Sequence, residues 1–170
     1  MTFEEFAAQR LAAIARFAAV LTGDRGLAED LVQEVLIRAH GRWEQIGAMD
    51  RPDLYVRKMI LNQFLSWRRR SWRLVPSGTG EDVDDRRAPD HAAAHAERAA
   101  LAAALAKLPR RQRAVLVLRY YEGLTDTEIS QALGCAPVTV RGYASRALAA
   151  LRVELGPSAP LAMQVGEAHR

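Results

Sequence analysis

Residues 124–152 read LTDTEISQALGCAPVTVRGYASRALAALR, and this stretch decides the fold. It predicts two short helices around a tight turn, the second with arginines on its free face, as a helix-turn-helix sets a recognition helix in the major groove. Thr125 and Glu128 form a T-x-x-E capping box that starts the first helix. Ile129, Ala132 and Leu133 give that helix an apolar side, and Gly134 stands where a left-handed C-terminal cap is needed. Pro137 suits the first turn of the next helix, where a missing N–H costs nothing. Ala136 occupies the position where Ser or Thr caps best, a loss of ~1 kcal/mol for packing to offset.

At ~100° per residue the second helix places Val140, Ala144, Ala147, Leu148 and Leu151 on one side, facing a core. Thr139, Gly142, Ser145 and Arg146 point away, with Arg141 and Tyr143 near the edges. Two arginines, a threonine and a glycine permitting close approach suit phosphates and base edges. An ordinary antiparallel helix pair with a solvated basic face would carry the same pattern.

The rest of the chain extends this helical character. Of 170 residues, 49% are hydrophobic and 26% charged, ordinary values for a globular protein. Alanine and leucine recur, alternating patterns are scarce, and the fold class is all-α. The net charge is +4, and the positive charge is almost wholly arginine, because Lys58 and Lys107 are the only lysines. Arginine is the better bidentate donor to phosphate and guanine. Cys135 is the single cysteine, so no intramolecular disulfide forms. A small buried side chain or a redox switch are its alternative roles. No apolar run reaches the ~20 residues of a membrane span and no secretory pattern opens the chain, so a cytoplasmic location without membrane insertion is expected.

Two helical domains are expected, with a flexible acidic linker between them. Residues 1–74 form the first, 75–92 the linker, 93–155 the second, and 156–170 a disordered tail. Phe3, Phe6, Ile14, Phe17 and Leu21 mark a helix over 2–21, and Thr2 with Glu5 suggests another capping box. A helix over 26–40 carries Leu27, Leu31, Val35 and Ala39 on one face, with Glu29, Asp30, Gln33, Glu34 and Arg38 elsewhere. A third, capped by Asp50, runs over 52–72 with Val56, Ile60, Phe64 and Trp67 on one side and Leu54, Leu61 and Leu65 widening it. It ends in WRRRSWR, residues 67–73, where arginines are interleaved with two tryptophans. Such a cluster suits melted DNA, cations holding the backbone and rings stacking on bases, and equally suits a solvated helix end. Glu81, Asp82, Asp84 and Asp85 make the linker acidic, and helices over 93–108 and 110–121 precede the helix-turn-helix.

In this order the parts resemble an extracytoplasmic-function (ECF, group 4) bacterial RNA polymerase sigma factor of the actinobacterial SigE-like branch. LTGDRGLAEDLVQEVLIRAHGRW (21–43) resembles the family's region 2.2, and DLYVRKMILNQFLSWRRR (53–70) its regions 2.3 and 2.4. LAKLPRRQRAVLVLRYYEGLTDTEIS (105–130) resembles region 4.1 and the start of 4.2. The resemblance implies sigma region 2 and region 4 domains, promoter-directed transcription initiation, and two partners: core RNA polymerase, through its clamp helices and flap, and promoter DNA. An anti-sigma factor is a further candidate partner. Asp30, Leu31, Gln33 and Glu34 fall on the polymerase-binding positions. An acidic helix in a basic protein makes sense when its partner is protein rather than DNA. Arg57, Lys58, Asn62, Gln63, Arg68, Arg69 and Arg70 fall on the minus-10 positions, and Thr139, Arg141, Gly142, Tyr143 and Arg146 on the minus-35 positions. Many relatives carry serine-arginine where this chain has Gly142-Tyr143. The linker carboxylates would mimic the phosphates of nascent RNA, or simply be solvated.

Two other functional classes account for less of the chain. A stand-alone helix-turn-helix regulator accounts for the C-terminal half and leaves the Asp30–Glu34 helix unexplained. An enzyme lacks a motif here: His91 and His95 are four apart with no third ligand, and neither a phosphate loop nor H-E-x-x-H occurs. No catalytic residue, metal or cofactor is expected.

Overall fold

The computed structural model describes residues 1–66 and 90–156. Trp67, Arg68, Arg69, Arg70, Trp72, linker residues 75–89 and tail residues 157–170 lie outside the described residues. The chain divides into two compact units, Met1–Gly80 and Glu81–Arg170.

In the first unit, α1 spans Phe3–Thr22. The Thr2 hydroxyl accepts from the Glu5 N–H at 3.2 Å, and the Glu5 carboxylate accepts from the Thr2 N–H at 2.8 Å, so two orphan donors are satisfied reciprocally. The T-G-D turn then links α1 to α2, Arg25–His40. The Thr22 hydroxyl donates to the Asp24 carbonyl at 2.8 Å, while the Asp24 carboxylate accepts from the Leu27 N–H at 2.8 Å and caps α2. A four-residue helix that the sequence pattern does not signal, α3 (Trp43–Ile46), seats Trp43 under α1. The indole N–H donates to the Met1 carbonyl at 3.1 Å, and its ring lies 4.8 Å from that of Phe6.

Helix α4, Pro52–Ser66, completes the unit. Its first backbone bond is accepted by the Arg51 carbonyl, from the Tyr55 N–H at 3.3 Å, rather than by the expected Asp50 cap. Phe6, Phe17 and Leu21 of α1, Leu31 and Val35 of α2, and Val56, Ile60 and Phe64 of α4 form the fully buried core. Leu54, expected on that face, is instead 45% exposed. It lies two residues before Val56, about 200° around the helix, so it points to solvent.

In the second unit, α5 (Asp90–Lys107) begins within the segment expected to be linker. It is followed by α6 (Arg110–Leu116), which widens into a π turn over Val117–Tyr121. There the Glu122 N–H reaches back to the Val117 carbonyl at 3.1 Å and the Leu124 N–H to the Leu118 carbonyl at 3.0 Å. An Arg119–Asp126 ion pair ties this turn to the start of α7, Asp126–Leu133. Helix α8, Pro137–Leu155, packs against α5, α6 and α7. Ala104, Leu108, Leu116, Ala147 and Leu151 form one cluster of its core, joined by half-buried Leu105, Tyr120, Leu148 and Leu155. Among the described residues no strand occurs, and no helix is long and apolar enough to cross a membrane.

Candidate nucleic-acid and partner interfaces

Helices α7 and α8 form the expected helix-turn-helix, and local chemistry sets its geometry. The Thr125–Glu128 capping box is closed on both sides, with the Glu128 carboxylate accepting from the Thr125 N–H at 2.8 Å. These bonds hold the Glu128 carboxyl below its ordinary pKa. Gly134 ends α7 at φ +62°, a left-handed conformation in which any Cβ is strained. The Ala136 side chain offers no cap, and Pro137 stands in the first turn of α8.

Val140, Ala144, Ala147 and Leu151 anchor α8, leaving Val138, Gly142, Ser145 and Arg146 on the opposite side with Arg141 at one edge. Arg141 and Arg146 are exposed, whereas Thr139 and Tyr143 are half-buried at the other edge. The Tyr143 ring carries the Arg146 guanidinium 5.4 Å from its centroid, so Tyr143 orients that cation. A Cβ added at Gly142 would meet only the Arg146 Nη2 at 3.8 Å, an ordinary contact. Backbone is therefore presented to the outside at the middle of the arginine-bearing face. Cys135, in the turn, is half-buried.

In the first unit, Asp30, Gln33 and Glu34 are exposed on the outer face of α2. Leu31, grouped with them by resemblance, is fully buried and supports the helix from beneath. At the centre of that outer face stands Ile37, 73% exposed, a residue missed in the sequence reading. It lies two positions past buried Val35, about 200° from the core stripe, which was the available signal. Ile37 also walls an open groove of about 430 Å³ shared with Phe3, Glu4, Ala7, Leu36 and His40.

Lys58 and Asn62 are exposed one turn apart on α4. Arg57 is half-buried, its guanidinium 5.6 Å from the Phe17 ring centroid, so part of it serves packing. Gln63 joins the two groups that the sequence kept separate. Its amide N–H donates to the Glu34 carboxylate at 2.8 Å, and its carbonyl accepts from Arg38 at 2.8 Å. Gln63 thus holds α4 to the acidic helix. Among the described residues no group of His, Cys, Asp and Glu side chains could hold a metal ion.

Comparison with known proteins accords with this two-part layout. Residues 6–74 match the family model for Sigma-70 region 2, and residues 98–151 that for Sigma-70, region 4. The RNA polymerase sigma-E factor of Streptomyces avermitilis is 38% identical over 156 residues, covering 91% of this chain and 86% of that protein. The ECF RNA polymerase sigma factor SigL of Mycobacterium tuberculosis is 37% identical over 156 residues, covering 87% of each. Among solved structures, the sigma factor RpoE of Bartonella quintana, crystallised with the anti-sigma factor NepR, matches in fold with a TM-score of 0.67. It is 22% identical and the match covers 92% of this chain and 98% of that one. With both sigma regions in order and such identity along most of its length, the chain belongs to the extracytoplasmic-function family of RNA polymerase sigma factors, which bind core polymerase and promoter DNA to direct transcription.

Proposed function

We propose a division of labour among three surfaces. The outer face of α2, with Asp30, Gln33, Glu34 and Ile37, docks on core RNA polymerase. Lys58 and Asn62 of α4, with Arg57 and the Arg68–Arg70 run, hold the melted minus-10 strand, where an exposed amide can pair with a base edge. The outward face of α8, with Arg141, Gly142 and Arg146, reads the minus-35 element in the major groove. Thr139 and Tyr143 support that face from its edge.

The observation that carries this reading is the outer face of α2, three polar or acidic side chains around an exposed isoleucine in a chain of net charge +4. An apolar centre within a polar rim suits a protein partner better than a polyanion. Once the polymerase holds both units, the second promoter contact becomes intramolecular, and its effective concentration rises. The test is a core-binding assay with Asp30→Ala and Arg146→Ala. Asp30→Ala should weaken the polymerase complex, and Arg146→Ala should leave it intact while reducing promoter binding roughly ten-fold, as for loss of a bidentate contact. Equal effects of the two variants on core binding would refute the division.

Gly142 provides a second test, because stability and function should move in opposite directions. Helix propensity favours alanine over glycine by about 1 kcal/mol, and the added Cβ has room. Gly142→Ala should therefore raise the melting temperature of the second unit by about 5 °C in circular dichroism. The same methyl holds the helix backbone off the DNA, so promoter affinity should fall several-fold. A stabilised variant with unchanged affinity would remove Gly142 from the interface.

A further inference from the structure

Val138 is 65% exposed at the start of α8, flanked by exposed Ala136 and Pro137. An apolar side chain in that place is unusual in two respects. It stands on the outward face, opposite Val140 and Ala144, so it contributes nothing to the core. It is also uncovered from its own helix. Helical side chains lean toward the N-terminus, so the residue one turn on normally shades its neighbour. Here that residue is Gly142, which has no side chain to do so. The exposed Arg141 and Arg146 flank this apolar spot with positive charge.

We propose that Val138 packs on the C5-methyl group of a thymine in the major groove, making it a specificity-determining residue of this sigma factor. The charge at its borders suits a polyanion, and the N-terminal residues of a recognition helix are those that reach base edges. Of the groups on those edges in the major groove, the thymine methyl is the one an apolar side chain recognises. Arg141 and Arg146 would supply phosphate or guanine contacts on either side. The inference rests on α8 being the minus-35 reader.

The test uses holoenzyme on a promoter that the holoenzyme itself selects from a random duplex library. Each thymine of the minus-35 element is replaced in turn by deoxyuridine, which removes only the methyl group. Wild-type holoenzyme should lose about four-fold in affinity at one such position, the worth of one buried methyl group. Val138→Ala should bind the thymine duplex more weakly and lose less than the native chain on deoxyuridine substitution at that position. Arg146→Ala, assayed in parallel, tests the underlying reading. If Arg146→Ala weakens binding while no deoxyuridine does, α8 reads the element and Val138 does not, which overturns the proposal. If Val138→Ala weakens binding without changing the deoxyuridine response, its contact is elsewhere and the proposal also fails. An Arg146→Ala variant with full promoter affinity would remove α8 as the reader and the proposal with it.

Discussion

Replacing Arg113 with alanine should lower the unfolding temperature of the second unit by about 15 °C, the equivalent of about 3 kcal/mol in a domain of this size. Arg113 is 2% exposed, although it sits in a run of basic residues that looks like a solvated surface. Its guanidinium reaches from α6 to the end of α5, where it donates to the Ala106 carbonyl and, at 3.1 Å, to the Leu108 carbonyl. Helix ends leave their last carbonyls without intrahelical partners, and Pro109 has no N–H with which to satisfy them. The cation also meets the negative end of the α5 dipole. Burial, and secondarily the neighbouring Arg110, pull its pKa down to about 10, so at neutral pH it remains charged and able to donate.

Two variants separate the causes. Arg113→Met keeps much of the apolar stem and strips the donors, so most of the loss should persist; Arg113→Ala adds a cavity. The three tryptophans, Trp43, Trp67 and Trp72, all belong to the first unit, whereas Tyr120, Tyr121 and Tyr143 belong to the second. Tryptophan fluorescence should therefore melt unchanged while far-ultraviolet circular dichroism shows an early transition. A shift below about 3 °C in both variants would mean that the carbonyls find other partners.

Arg113 illustrates what sequence can and cannot disclose. Capping boxes at Thr2–Glu5 and Thr125–Glu128, the Gly134 cap and the buried side of α8 were legible because each is local, set by residues three or four apart. The helix-turn-helix was legible for the same reason. Partners far apart in sequence were not. Gln63 bridges to Glu34 and Arg38, 29 and 25 residues away, and no periodicity encodes that. The four residues of α3 are too few to show a period, and a π turn leaves the apolar pattern of a helix almost unchanged. Ile37 and Val138 are a different case, both exposed although apolar. An apolar residue type suits a core, and only its angle around the helix shows that it faces outward.

Ile37→Asp should weaken the complex with core RNA polymerase by roughly 30-fold, about 2 kcal/mol, with little change in the stability of the first unit. A side chain 73% exposed contributes little to folding, so an effect on binding cannot be charged to an unfolded domain. Within the proposed interface its environment is different. Asp30, Gln33 and Glu34 form a polar rim around it, the arrangement in which a central apolar group loses its water and carries the affinity while the rim governs rate and partner choice. An aspartate there would bury a further negative charge against a surface that must be apolar at its centre. Ile37→Ala should cost less, because it deletes contact without adding charge. Raising salt should diminish the contribution of Asp30 and leave that of Ile37 largely intact, since hydrophobic burial is not screened. Leu31→Ala is the contrasting control: with Leu31 fully buried, it should destabilise the unit by about 3 kcal/mol and reduce binding only through unfolding. Should Ile37→Asp bind core polymerase as tightly as the native chain, the docking face would have to be sought elsewhere on the first unit, with the acidic side of α2 left to solvent.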